Sequence, residues 1–314
     1  DVSSLLKTVT ISAVRILGLL SLVTASVVLM SCSSGTKEPS GAAGAADCPT
    51  DPVDVVVSVD QWGDIVSELG GACARVTTLL AGSAADPHDY EPTPADAAAF
   101  RDAQLVVVNG GHYDEWAAKL AAASAPTAPV VTAAPEGTPN PHVWYDPVAV
   151  VALADTVTAK LSALAPGAAA YFTDRRAGFT TALQPYDAAV AALKAGAAGK
   201  SYAATEAVFD DMAAAIGLQN RTPAGYQASA AHEAEPSPGD LGAFLKLLAG
   251  RGVDVLIYNT QTEGALPQQI RAAAEAAGVP VVEVTETVAP GAKTFEAWQV
   301  DQLTALAKAL GVSR

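Results

Sequence analysis

The sequence predicts an α/β protein of two βα lobes, each on a parallel sheet, joined by one long rigid helix with a cleft between them. Three observations carry this. Short β-branched runs alternate with amphipathic stretches from residue 53 onward. The strand signal disappears between residues 148 and 196 and then returns. At 314 residues the chain exceeds what a single core usually serves. Strands alternating with helices at this spacing build βα units, and βα units build parallel sheets.

In chain order, "VDVVVSV" (53–59) reads as a buried strand and "QWGDIVSELG" as an amphipathic helix stopped by glycine. "ARVTTLL" is a second strand, followed by "ADPHDYEPTP" (85–94), where three prolines stiffen a loop around His88. Thr93-Pro94 opens a helix over Ala95–Asp102, with threonine at the N-cap and proline at the first helical position. "QLVVVNGG" is a strand, "YDEWAAKLAAA" a helix and "APVVTAA" a fourth strand. A second proline-flanked loop, "NPHVWYDP" (140–147), surrounds His142.

"PVAVVALADTVTAKLSAL" then reads as a helix ended by Pro166-Gly167. The next 30 or so residues keep a helical pattern with one interior proline, Pro185, and would span about 45 Å. Beyond it come the strand "KSYAAT", ending at Glu206, and the helix "VFDDMAAAIG". "AEPSPGDLGAFLKLLAGRG" is a capped helix, "VDVLIYNT" a strand and "LPQQIRAAAEAAG" a helix. "VPVVEVTE" is a strand ending at Glu286, before the last helix, "TFEAWQVDQLTALAKALG". The expected domains are 51–165 and 197–314, with 166–196 as connecting helix.

The N-terminal segment differs in kind. Lys7 and Arg15 precede an uncharged apolar run from Ile16 to Met30, shorter than the roughly 20 residues a spanning helix needs. Leu29-Met30-Ser31-Cys32 resembles a bacterial lipobox, which makes 1–32 a lipoprotein signal peptide with Cys32 the lipidated residue. Residues 33–50 then read as a flexible tether. Outside the cytoplasm the remaining pair, Cys48 and Cys73, is expected to form a disulfide. The net charge of −15 argues against nucleic acid or an anionic membrane surface as a partner.

His88, His142, Glu206 and Glu286 each fall just past the C-terminal end of a predicted strand. Ligands of open parallel sheets bind at that edge. Two residues come from each lobe, so a cleft would gather all four. Two neutral imidazoles and two carboxylates balance a divalent cation, which makes its burial tolerable.

The stretches "DPHDYEPTPADAAAF", "NGGHYDEW", "NPHVWYDP" and "AEPSPGDL", with the mid-chain helix, resemble the cluster A-I solute-binding lipoproteins of zinc and manganese ABC transporters. The resemblance covers the mature chain in order. It implies a metal site between lobes, with His88 and His142 as ligands together with a third His or Glu and a late Asp or Glu. Glutamate at the third position, Glu206, is commoner in the manganese branch. The family's usual aspartate is not evident in "VVEVTETV", so Glu286, at the strand end, takes the fourth position, with mid-strand Glu283 the fallback. Two oxygen donors able to chelate bidentately lean toward manganese, while the Irving–Williams order favours zinc.

The function so implied is extracytoplasmic capture of Mn2+ or Zn2+ by a monomeric, lipid-anchored protein that serves an ABC permease with a cytoplasmic ATPase. The alternatives are a metalloenzyme on the same site, which the sequence supports with no His-Glu-x-x-His or Gly-x-Ser-x-Gly motif, and an adhesion lipoprotein. His112 and His232 read as surface residues and Asp210-Asp211 as a solvated helix face. Asp86 and Glu91 are candidates to orient His88, and Trp144 and Tyr145 to wall the site.

Overall fold

The computed structural model describes residues 47–82, 87–88, 90–231, 234–262 and 264–313. Cys32, the segment 1–32, tether residues 33–46, Asp86 and His232 lie outside the described residues.

Two four-stranded parallel sheets form the frame. The first holds β1 (Val53–Val59), β2 (Ala74–Leu80), β3 (Leu105–Gly110) and β4 (Val130–Ala134), in the order β2-β1-β3-β4. The second holds β5 (Ser201–Ala204), β6 (Gln219–Asn220), β7 (Val255–Asn259) and β8 (Val281–Val284), in the order β6-β5-β7-β8. The two lobes share one topology although their sequences show no repeat. β1, β3 and β7 are buried almost throughout, as unbroken apolar runs must be when helices cover both faces of a parallel sheet.

In the first lobe α1 (Asp60–Gly70), α2 (Pro94–Phe100), α3 (Glu115–Ser124) and α4 (Pro147–Leu164) surround the sheet. Thr93 caps α2 in a reciprocal box: its hydroxyl accepts the Asp96 N–H, and the Asp96 carboxylate accepts the Thr93 N–H at 2.6 Å. The second lobe carries α7 (Asp210–Ile216), α8 (Ala224–Ala230), α9 (Pro238–Ala249), α10 (Ala265–Ala277) and α11 (Phe295–Leu310). The sequence reading missed β6 and α8. Gln219 and Asn220 are exposed and polar, so neither apolar run nor alternation marks them.

The connector, expected as one helix, consists of α5 (Ala169–Ala182) and α6 (Gln184–Gly196), meeting at Leu183. Pro185 has no N–H for the Thr181 carbonyl, and its ring crowds that carbonyl. Leu183 nevertheless keeps helical angles, φ −70° and ψ −14°, so the path continues through the break. α5 packs on α1 and α4, whereas α6 packs on α7 and α11. The break therefore falls where the connector passes from one lobe to the other.

One core cluster runs through both lobes and the connector, from Val53 to Leu310. A second, smaller one, with Phe244, Leu248, Leu256 and Ile270, lies where α9 and α10 pack together and α10 covers β7. A disulfide joins Cys48 to Cys73, 25 residues apart, tying the segment before β1 to the turn after α1. In the chain-entropy picture, closing a loop of that size is worth about 3 kcal/mol.

Candidate metal centre

Both histidine loops are anchored from behind. The indole Nε1–H of Trp116, on α3, donates to the Pro87 carbonyl at 3.1 Å, and the Tyr90 ring lies edge-on against the same indole at 4.8 Å. His88 stands between these anchors and meets the edge of the Tyr113 ring at 4.7 Å. The His142 ring is held by Asn140, whose Oδ1 lies 2.7 Å from Nδ1 and also accepts the His142 backbone N–H at 3.2 Å. An oxygen acceptor at Nδ1 places the proton there and leaves the Nε2 lone pair facing Glu286 Oε2, 3.8 Å away. Burial, assisted by His88, pushes the His142 pKa down to about 3, so the ring stays neutral as a metal ligand must be.

The carboxylates come from the second lobe. Glu286 Oε2 accepts from Tyr113 Oη at 3.3 Å, and the Glu286 backbone N–H donates to Gln261 Oε1 at 2.6 Å. One donor atom from each of His88, His142 and Glu286 lies within 4.8 Å of the other two. Ligands of a tetrahedral ion with bonds of about 2.1 Å stand about 3.4 Å apart. The three therefore need to close by at most about 1.4 Å at their widest, within reach of side-chain adjustment. Glu206 is outside that group but one amide away: Asn259 Nδ2 donates to Glu206 Oε2 at 2.5 Å and to Glu286 Oε1 at 2.7 Å. Glu283 points elsewhere, toward Arg271 of α10 at 2.6 Å, because alternation along β8 turns it away from Glu286's side of the strand end.

Other expectations sort themselves by geometry. His112 is exposed and bonds Glu115 at 2.5 Å; its φ of 70° continues the left-handed turn begun by Gly110 and Gly111. Glu91 is exposed. Trp144 is fully buried and packs on Tyr113 and His142. Tyr145 reaches across to the Thr285 carbonyl at 2.7 Å. The reading of Asp210-Asp211 as a solvated helix face is corrected. Asp210 accepts from Tyr202 Oη at 2.7 Å, and burial with Asp146 nearby raises the Asp211 pKa to about 6.

Sequence reasoning missed Tyr113, Asn140, Asn259, Gln261 and Asp60. Asn140 carried a local signal, standing two residues before His142 in the loop already singled out, and Tyr113 stood in "NGGHYDEW" beside His112. Asp60 starts α1 and accepts two backbone N–H groups, from Gly82 at 2.7 Å and from Val288 at 3.4 Å. It thereby joins the approach to the His88 loop with the segment after Glu286.

Asp60, Asp64 and Glu68 repeat every four residues along α1, forming one acidic stripe toward the second lobe. Asp64 accepts the Phe295 N–H at the start of α11, and Glu68 meets Glu296. Burial, then the charge of Glu296, raises the Glu68 pKa from 4.5 to about 7, with Asp64 adding to the effect and Arg175 opposing it. Between those two values only the folded chain holds the proton, so stability falls as pH rises from about 4.5 to 7. Glu68→Gln is expected to flatten that slope. It should stabilise the protein at pH 8 by on the order of 1 kcal/mol, allowing for solvent screening of a half-exposed group. Urea melts at pH 5 and pH 8 check this, and an equal shift at both rules the explanation out.

Fold and donor geometry together define a bilobed α/β protein with a candidate metal centre between its lobes. The sequence profile of the family described as ZnuA, zinc-uptake complex component A, periplasmic, matches residues 55–309, and the chain belongs to this family.

Among curated relatives, the manganese-binding lipoprotein MntA of Halalkalibacterium halodurans is 31% identical over 101 residues, 29% of this chain and 33% of that protein. The zinc-binding lipoprotein AdcA of Streptococcus pneumoniae is 24% identical over 226 residues, 65% of this chain and 44% of that protein. The match thus spans less than half the length of either relative. The high-affinity zinc uptake system protein ZnuA of Bacillus subtilis is 23% identical over 238 residues, 68% of this chain and 73% of that protein. Among solved structures, FpvC of Pseudomonas aeruginosa in complex with Mn2+ superposes with a TM-score of 0.69 at 23% identity, covering 83% of this chain and 99% of that one. The periplasmic zinc-binding protein TroA of Treponema pallidum gives 0.69 at 20% identity, covering 82% and 99%. At these identities the structures establish the shared fold.

Proposed function

We propose that the protein captures one divalent transition-metal ion, Zn2+ or Mn2+, outside the cytoplasm and delivers it to the permease of an ABC importer. His88, His142, Glu206 and Glu286 are its ligands, and the chain acts as a monomer held to the membrane through a lipid on Cys32. The observation that carries the reading is the meeting of His88, His142 and Glu286 between the lobes, with Glu206 tied to Glu286 through a single amide. The donor set fits the ion chemically: two neutral nitrogens and two carboxylates cancel its charge inside a low-dielectric cleft. Four donors from the protein suit capture, whereas hydrolytic metal sites hold a position for water. The names of the relatives above, which bind zinc or manganese, support the same cargo class.

The test is titration of chelator-stripped protein with Zn2+ and with Mn2+. One equivalent binds tightly, and Glu206→Ala loses the high-affinity phase. Sub-stoichiometric binding, or a Glu206→Ala variant with unchanged affinity, rejects the assignment.

A further inference from the structure

Asn259 closes β7 and is 2% exposed, and its side-chain amide has one permitted orientation. Its Oδ1 accepts the Gln261 N–H at 3.0 Å, while its backbone N–H donates to Thr205 Oγ1 at 3.2 Å. A flipped amide would set an NH2 group against the Gln261 N–H, donor against donor. Nδ2 is therefore aimed at the two carboxylates, 2.5 Å from Glu206 Oε2 and 2.7 Å from Glu286 Oε1. It has two hydrogens, one for each. The amide is a neutral double donor that bridges one oxygen of each carboxyl group. Hydrogen bonds to carboxylates are among the stronger ones, so they also fix which oxygen of each group is turned toward the amide.

We infer that Asn259 sets metal preference by holding Glu206 and Glu286 as single-oxygen ligands. With Oε2 of Glu206 and Oε1 of Glu286 committed to the amide, each side chain offers the ion its other oxygen. For Glu286 that is Oε2, the atom already facing His142 Nε2, which takes a longer bond, 3.3 Å, from Tyr113 Oη. The shell is then two nitrogens and two oxygens, a tetrahedral set that zinc accepts and manganese, which favours six oxygen-rich positions, finds incomplete. The bidentate capacity that makes two glutamates lean toward manganese is thus restrained by a neighbour with no charge. This inference rests on the function proposed above.

The experiment uses the full mature chain with Asn259→Leu, which keeps volume and removes both donors, and Asn259→Ala as a second variant should leucine disturb folding. Zn2+ and Mn2+ affinities are measured by chelator competition, and the zinc coordination number by X-ray absorption. Zinc affinity is expected to fall about 10–100-fold, as for other residues that orient metal ligands, and manganese affinity by less. The preference ratio then narrows, and the zinc shell gains oxygen as the carboxylates become bidentate. Equal losses for both metals with an unchanged shell assign Asn259 a purely structural role and overturn the inference, leaving the proposed function intact. Wild-type protein that takes up neither metal overturns both.

Discussion

Replacing His142 with alanine is expected to weaken zinc binding about 100- to 1,000-fold while leaving the metal-free fold nearly as stable as before. Structural zinc sites bind with about 10–16 kcal/mol, so one ligand of four carries roughly 3–4 kcal/mol, which is that factor in affinity. Asn140 and the burial of the ring prepare Nε2 as a neutral donor, and alanine discards this preparation entirely. The metal-free protein has less at stake, because the ring's hydrogen bond to Asn140 is local, two residues away. Bound metal stabilises the native state by mass action, so thermal melts report both properties at once. The variant should melt close to wild type without metal and lose most of the upward shift that micromolar zinc produces. An undiminished shift would remove His142 from the ligand set.

The second large effect is on folding. Trp62, fully buried on α1, donates its indole N–H to Asn109 Oδ1 at 2.9 Å. Asn109 in turn donates to the Pro141 carbonyl at 2.9 Å, one residue before His142. Trp62→Ala leaves a cavity and orphans a buried amide oxygen. Truncations of this kind cost about 3–5 kcal/mol, against a total stability of about 5–15 kcal/mol. Trp62→Phe separates the two contributions, since it keeps most of the volume and loses only the donor, a cost of about 1–3 kcal/mol. Denaturant melts that place both variants within 1 kcal/mol of wild type would show that the core re-forms around the gap.

What could be read from the amino acids divides along physical lines. β1, β3 and β7 were legible because a strand covered on both faces must be an unbroken apolar run. β6 was not, since two exposed polar residues at a sheet edge leave no pattern. Pro185 was visible inside the helical stretch, yet only the structure shows that the helix divides at Leu183 beside it. The same contrast holds in the centre. His88 and His142 announced themselves through flanking prolines, and Glu206 and Glu286 through their places after strands. Asn259 and Gln261 sit in no motif, and their roles, like that of Tyr113 in "NGGHYDEW", arise only when distant segments converge. Asp210 and Asp211 were misjudged because charge alone does not disclose that Tyr202 and Asp146 stand over them.

Asp60 has a mechanical consequence. A single carboxyl group grips Gly82 with one oxygen and Val288 with the other, and these lie on strands of chain leading to opposite banks of the cleft. The banks cannot drift apart a little at a time while that grip lasts. Parting them means breaking the longer, weaker bond to Val288 together with the links from Asp64 to Phe295, from Tyr113 to Glu286 and from Tyr145 to the Thr285 carbonyl. The Val288 bond, at 3.4 Å, is the weaker of the two, so Asp60 is expected to stay with the Gly82 side whenever the banks separate.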